Sequence, residues 1–336
     1  MIKTTYIIDA RPQLPFHITG NCYQPDPPRD TGRTLVLLHA TGLHKETWEP
    51  VVETLFELSA SAGDAIRDAW AIECPNHGES AVLNETELTK NWADHWDGWA
   101  YPRAVHAFLL AKPGGVDFAS RNLVVVGHSY GGCAAILLTA LTPRLNIETV
   151  AMLDGTVSAG GPKRDYMDMV LAQLVWIKPD VWRSRKDAAR WFASAPGFKK
   201  WDKKIQALFI EHGLKKHYAS KFPAPYTFQG VTLACNKSYE AACYRANAHH
   251  DEAWERLQQM HAHGPPVHMI LSENDEFDGA ELKNGLLKGK YGGGAASVQY
   301  VERTTHMFAQ QRPEPTAHAI WNAISGSAGS NPTAKL

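Results

Sequence analysis

Short apolar runs recur along the chain, each closed by polar or glycine residues: Leu35-Val36-Leu37-Leu38, Leu123-Val124-Val125-Val126, Val150-Ala151-Met152-Leu153 and Val267-His268-Met269-Ile270-Leu271. Such runs suit strands buried on both faces and are too short for core helices, and helical periodicity fills the intervals. The pattern predicts an α/β fold, a mostly parallel central sheet flanked by helices. A further strand is expected at Ser297-Val298-Gln299-Tyr300-Val301. From Gly160 to about Tyr244 the pattern changes: Trp, Lys and Arg fall at helical spacing, and no strand-like run precedes Gly230-Val231-Thr232-Leu233. The sheet therefore brackets an insertion, read as a helical cap. The expected division is a first core part at 1–159, the cap at 160–245, a second core part at 246–325 and a flexible Ser/Gly-rich tail at 326–336.

Loops at the carboxyl ends of parallel strands build sites in such sheets. Gly127-His128-Ser129-Tyr130-Gly131-Gly132 follows one run and opens a helix-compatible stretch from Cys133 to Leu138. A turn this sharp leaves no room for Cβ atoms on the flanking glycines and projects the serine hydroxyl outward, so Ser129 is the candidate nucleophile. The following helix N-terminus faces a developing oxyanion, and the main-chain N–H groups of Tyr130 and of Thr41, in His39-Ala40-Thr41-Gly42, are the expected oxyanion hole. His39 itself reads as a structural histidine. A serine hydroxyl needs a neighbouring imidazole. Among sixteen histidines, His306 has the position for it, just after the last strand run and before a helix opening near Pro313. Asp154 and Asp275, each ending a strand run, both remain candidates for the acid that orients the imidazole. Substrate contacts are expected from Trp48, Tyr130, Trp176, Trp182, Arg183 and Arg185.

Composition narrows the field. With 44% hydrophobic and 21% charged residues, and 34 Lys+Arg against 35 Asp+Glu, the chain is neither disordered nor built to bind nucleic acid by bulk positive charge. The charge is uneven: residues 160–221 carry fourteen Lys+Arg and six Asp+Glu, leaving twenty against twenty-nine elsewhere. A basic cap would attract an anionic substrate such as an acyl-CoA, although a solvated helical face has the same composition. Cap tryptophans Trp176, Trp182, Trp191 and Trp201 suit either an acyl tunnel or packing onto the sheet. Five cysteines (Cys22, Cys74, Cys133, Cys235, Cys243) without a CxxC pair are expected as free thiols. His249-His250, His261 and His263 lack metalloenzyme spacing and read as an exposed helix, so neither a metal nor a cofactor is expected. Met1-Ile2-Lys3-Thr4-Thr5 opens no signal peptide, and no apolar stretch approaches the roughly 18 residues of a membrane span; a soluble, intracellular protein is expected.

Together with the serine turn, three sets of residues carry a specific likeness: His44-Lys45-Glu46-Thr47-Trp48; Glu73-Cys74-Pro75-Asn76-His77-Gly78-Glu79-Ser80; and the cap motifs Trp182-Arg183-Ser184-Arg185, Trp201-Asp202, Phe209 to Leu214, Gly230 to Cys235 and Glu240-Ala241-Ala242. Over nearly its whole length the chain resembles the α/β-hydrolase superfamily. Within it, the likeness is to a fungal peroxisomal branch that includes toxin-biosynthesis hydrolases, a yeast peroxisomal lipase and the mycophenolic-acid acyl-CoA hydrolase. The resemblance implies Ser129 as nucleophile and His306 as base, tilts the acid slightly toward Asp154, and implies coenzyme A thioesters or lipid-like and polyketide-derived esters as substrates. Ala334-Lys335-Leu336 differs by one small residue from the Ser-Lys-Leu address, which makes a peroxisomal import receptor an expected partner and the cytoplasm the alternative location. The expected activity is ester or thioester hydrolysis through an acyl-enzyme. Lactone or carbon–carbon bond hydrolysis, acyl transfer, or ligand reception without catalysis are its alternatives.

Overall fold

The computed structural model describes residues 1–63, 66–246, 248–274 and 285–326. Eight strands form the central sheet: β1 (Ile2–Asp9), β2 (His17–Gln24), β3 (Arg33–Leu38), β4 (Ile66–Ile72), β5 (Leu123–His128), β6 (Ile147–Leu153), β10 (Val267–Ser272) and β11 (Ser297–Val301). Their order is β1-β2-β4-β3-β5-β6-β10-β11. From β4 onward all neighbours run parallel; β1 and β2 form an antiparallel edge. Each apolar run splits its side chains between two cores because successive residues point to opposite faces. Val36, Leu38, Val125 and Met152 enter one core; Leu35, Leu37, Val124, Val126, Ala151 and Leu153 enter the other.

Helices α1 (Glu49–Ala62) and α9 (Pro313–Ile324) cover the second face and pack on each other. The first face is covered by α2 (Ala100–Leu110), α3 (Tyr130–Leu138) and α8 (Ala248–His263). Every residue of α3 is buried, so this helix is held on all sides rather than along one stripe.

The insertion between β6 and β10 holds α4 (Pro162–Ile177), α5 (Arg185–Ser194), α6 (Lys203–His212) and α7 (Lys237–Arg245). These helices make up most of the insertion, and a small sheet joins them. Three short strands, β7 (Val181–Trp182), β8 (Leu214–Lys216) and β9 (Val231–Leu233), form an antiparallel sheet in the order β7-β9-β8. β9 falls on the Gly230–Leu233 run that reads as strand-like in the sequence, while β7 and β8, of two and three residues, are too short to show periodicity. The cap has its own core of Trp182, Phe192, Trp201, Ile205, Phe209 and Leu233, closed by Ala40 and Leu43 of the loop after β3. That shared packing seats the cap over the carboxyl ends of the strands.

Among the described residues no helix is long and apolar enough to cross a membrane. All five cysteines are buried and free.

Candidate active site

Ser129 sits between β5 and α3 with φ 55° and ψ −119°, a positive-φ conformation that costs energy for any residue with a Cβ. The turn is closed so tightly that a Cβ on Gly127 would lie 2.2 Å from the Gly131 carbonyl oxygen, and one on Gly131 would lie 2.2 Å from that of Leu38. The strain is held by hydrogen bonds: Ser129 N–H donates to Leu153 O (2.9 Å), and the N–H groups of Gly132, Cys133 and Thr156 converge on Ser129 O.

Parallel pairing sets His128 opposite Leu153 and Leu153 opposite Ile270. Asp154 therefore follows the strand beside the one that carries Ser129. It also has a positive φ, of 37°, and its Oδ1 accepts the Ser272 N–H at 3.1 Å. Its Oδ2 faces His306 Nδ1 at 3.6 Å, slightly beyond ordinary hydrogen-bond range. Burial works to raise the Asp154 pKa, but the facing His306 imidazole and the Ser272 amide outweigh it and hold the carboxyl below its ordinary value. His128, the residue before Ser129, anchors the His306 backbone: its Nε2–H donates to the His306 carbonyl oxygen (2.8 Å) and the two rings lie 5.2 Å apart. Asp275 lies outside the described residues.

The loop after β3 is fixed from below. Gly42, at φ 79°, donates its N–H to His77 Nε2 (2.8 Å), while His77 Nδ1–H donates to Asn76 Oδ1 (2.6 Å). This sets the direction of the Thr41–Gly42 turn. His39 takes the Cys74 N–H on Nε2 and donates Nδ1–H to Ala40 O, so both its nitrogens serve the loop. Burial pushes His39 down to about 3 and His77 well below the usual imidazole range. Tyr130 begins α3, where a first-turn N–H has no carbonyl within the helix to bond.

A cavity of about 170 Å³ opens between this loop and the cap. Thr41, Gly42 and Met307, the neighbour of His306, form its floor; Trp191, Phe192, Phe198, Trp201 and Phe209 line it from the cap. At one side lies an ion pair in an otherwise aromatic wall: Lys178 Nζ donates to Glu240 Oε2. Glu240 is buried against the loop, since a Cβ on Gly42 would meet its Oε1 at 2.9 Å. Sequence reasoning missed Lys178, Phe192 and Phe198, and it quoted His77, Phe209 and Glu240 in the motifs of likeness without giving them a place in the site. They lie far from the serine in sequence, and only the folding of cap onto core brings them there.

Several expected substrate contacts lie elsewhere and are corrected. Trp48 is buried in the core beneath the sheet with α1. The Tyr130 side chain points into the opposite core, where its hydroxyl donates to Gly98 O and accepts from Trp96 Nε1, so only its main chain faces the site. Trp176 is exposed on α4. Trp182 packs behind Trp191 and Phe192, at 5.7 and 5.4 Å between ring centroids. The Arg185 guanidinium donates to the carbonyls of Ile210, Glu211 and Leu214, capping the C-terminus of α6. Arg183 is exposed. The histidine-bearing helix α8 is also not an exposed one: His249, His250 and His261 are buried, and Cys133, His249 and His250 place ligand-capable atoms within 4.8 Å of one another.

The alpha/beta hydrolase family matches residues 35–319 of the chain. The type I acyl-CoA thioesterase mpaH of Penicillium brevicompactum is 30% identical over 169 residues, covering 49% of this chain and 36% of that protein. A peroxisomal membrane protein of Saccharomyces cerevisiae is 34% identical over 137 residues, covering 39% and 34% of the two chains. The matched part thus spans about a third of the length of these curated relatives. Among solved structures, a peroxisomal alpha-beta-hydrolase of Saccharomyces cerevisiae superposes with a TM-score of 0.75 at 17% identity over 98% of this chain and 90% of its own. A thioesterase domain from the curacin biosynthetic pathway gives a TM-score of 0.64 at 12% identity, covering 95% and 98%.

Proposed function

The chain belongs to the alpha/beta hydrolase family, and from that premise we propose that it is a serine hydrolase cleaving an ester or thioester through an acyl-enzyme, with an acyl-CoA as the leading substrate class. The observation that carries this reading is the approach of His306 Nδ1 to Asp154 Oδ2, at 3.6 Å, beside a serine on a strained strand-to-helix turn. In this reading Ser129 Oγ attacks the carbonyl carbon as His306 takes its proton. Asp154 stabilises the resulting imidazolium, and the N–H groups of Thr41 and Tyr130 hold the oxyanion. His306 then returns the proton to the departing thiol or alcohol, and water releases the acid by the same route in reverse. The aromatic cavity takes the acyl group.

Two relatives bear on the finer reading. One is named an acyl-CoA thioesterase and another a peroxisomal protein, which supports a coenzyme A thioester and a peroxisomal location. The terminal Ala334, Lys335 and Leu336, the proposed contact for an import receptor, lie outside the described residues. Of the cap cations expected to meet an anionic carrier, Arg183 and Lys186 are exposed, whereas Arg185 is occupied in capping α6.

The test is labelling and turnover together. A fluorophosphonate should label the wild-type protein at Ser129, and Ser129→Ala should lose both labelling and hydrolysis of an acyl-CoA, ester and lactone panel while keeping its melting temperature. Turnover that persists in folded Ser129→Ala would sink the proposal.

A further inference from the structure

The geometry points to a metal site one helical turn behind the nucleophile, in which Cys133 of α3 and His249 and His250 at the start of α8 hold a thiophilic divalent cation of the zinc class. The three candidate ligand atoms, all on buried residues, lie within 4.8 Å of one another. Zinc bonds of about 2.0–2.3 Å in a tetrahedral site put ligand atoms about 3.3–3.6 Å apart, so such atoms would draw together by up to about 1.5 Å. Two observations independent of that clustering point to a ligand. His249 is 3% exposed, and neither of its ring nitrogens makes a hydrogen bond of good geometry among the described residues, its one backbone interaction being a poorly aligned approach to Ala246. A buried imidazole in that state loses its hydration without replacement, and coordination restores a partner. His250 already has the arrangement of a ligating histidine: Nδ1–H donates to the Thr156 carbonyl oxygen at 2.6 Å, which leaves the Nε2 lone pair outward.

Binding replaces the Cys133 thiol proton, which leaves to solvent, with a metal–sulfur bond, so a dication and one thiolate carry a net single positive charge. Arg164 is the cation facing this region, and it is offset: Nη1 donates to Asp251 Oδ1 and to Ser158 O, both at 3.0 Å. Asp168, close enough to feel the Arg164 charge, has a buried oxygen without a partner among the described residues. The ion would clamp α3 to α8. Because Cys133 N–H and Thr156 N–H both donate to Ser129 O, the clamp attaches at two points of the turn that carries the serine. Sequence spacing gives no hint of such a site, since its cysteine and its histidines are contributed by helices far apart in the chain.

Cobalt(II) is the probe. Titrating the purified, chelator-treated full chain with Co²⁺ should give a near-ultraviolet thiolate-to-cobalt charge-transfer band that saturates at one equivalent and disappears on adding Zn²⁺. Cys133→Ser should remove that band, and His249→Asn should weaken Co²⁺ binding at least tenfold, with the fold checked by circular dichroism. Absence of the band in the wild-type chain at stoichiometric cobalt overturns the proposal without recourse to any variant. So does an undiminished band in folded Cys133→Ser, which would place the metal on another thiol.

Discussion

Ser129 and Asp154 are both non-glycine residues held at positive φ, and in each case the backbone is tied by hydrogen bonds to a neighbouring strand: Ser129 N–H to Leu153 O, and Asp154 N–H to Ile270 O. The strain is local and so is its consequence, a hydroxyl and a carboxylate presented from adjacent strand ends. The carboxylate faces the imidazole of His306, whose main-chain carbonyl is itself anchored by His128. If Asp154 is the orienting acid, Asp154→Asn presents an amide to His306 and favours the wrong tautomer. It should lower kcat by on the order of 10⁴ with little change in KM. Circular dichroism of the variant should match the wild type, while a modest fall in melting temperature accompanies the loss of the buried carboxylate's interactions with Ser272 and His306. A loss of tenfold or less, with a large loss in Asp275→Asn, would move the role to Asp275.

At the scale of elements, α6 depends on a side chain from α5. Arg185 gives its guanidinium to three carbonyls at and beyond the end of α6, which satisfies orphan acceptors and opposes the negative end of the helix dipole. Arg185→Ala should destabilise the protein by about 1 kcal/mol, the net scale of exposed hydrogen bonds, and should change KM for a CoA thioester and a neutral ester alike. Denaturant melts with paired kinetics check both halves. A selective rise in KM for the thioester would return Arg185 to substrate binding. The same contrast explains what was legible beforehand. β3, β5, β6 and β10 announced themselves because strands buried on both faces read as unbroken apolar runs. β2 did not, because its buried positions include Thr19 and Asn21, polar residues satisfied by Glu73, Ser80 and Glu46 rather than by an apolar core. β4 was hidden by Asp68, which is buried against Arg121 and Thr34. The serine turn is a contiguous motif and could be read directly. The cavity is assembled from the loop after β3, the cap and Met307, and no local pattern encodes that meeting.

For the whole molecule, the uneven charge finds its counterpart within the fold. Lys204 pairs with Glu53 of α1, Lys215 with Glu85 and Arg164 with Asp251 of α8, so part of the cap's basic surplus faces acids of the core. Arg183 and Lys186 remain exposed, and reversing both to Glu should raise KM for a CoA thioester at least tenfold more than for a neutral ester of the same acyl group. The difference should shrink as salt rises from about 0.1 to 1 M, where the Debye length falls from about 10 to 3 Å. Equal effects on both substrates would mean a merely solvated face. Acid should act on the fold from a different quarter. His39, His77 and His128 are fully buried, and burial depresses the pKa of each. Burial is the largest cause at each and outweighs the raising effects of the hydrogen bonds to the Ala40 carbonyl at His39 and the His306 carbonyl at His128 and of the Glu46 and Asp154 charges. Like charge from His44 and Lys45 at His39, from His39, Lys178 and His44 at His77, and from His306 at His128 adds to it. Since these imidazoles stay neutral when folded and take up protons near pH 6.5 when unfolded, the unfolded chain binds more protons below that value, and stability must fall as pH falls. Each contributes about 1.4 kcal/mol per pH unit, so three together remove about 4 kcal/mol per unit below pH 6.5, a large share of a typical folding free energy. The depressed pKa of Asp154 acts in the same direction at lower pH. The melting temperature should therefore hold from pH 8 to 7 and drop steeply between pH 6.5 and 5. A flat profile across that interval would show that these histidines bind protons in the folded state.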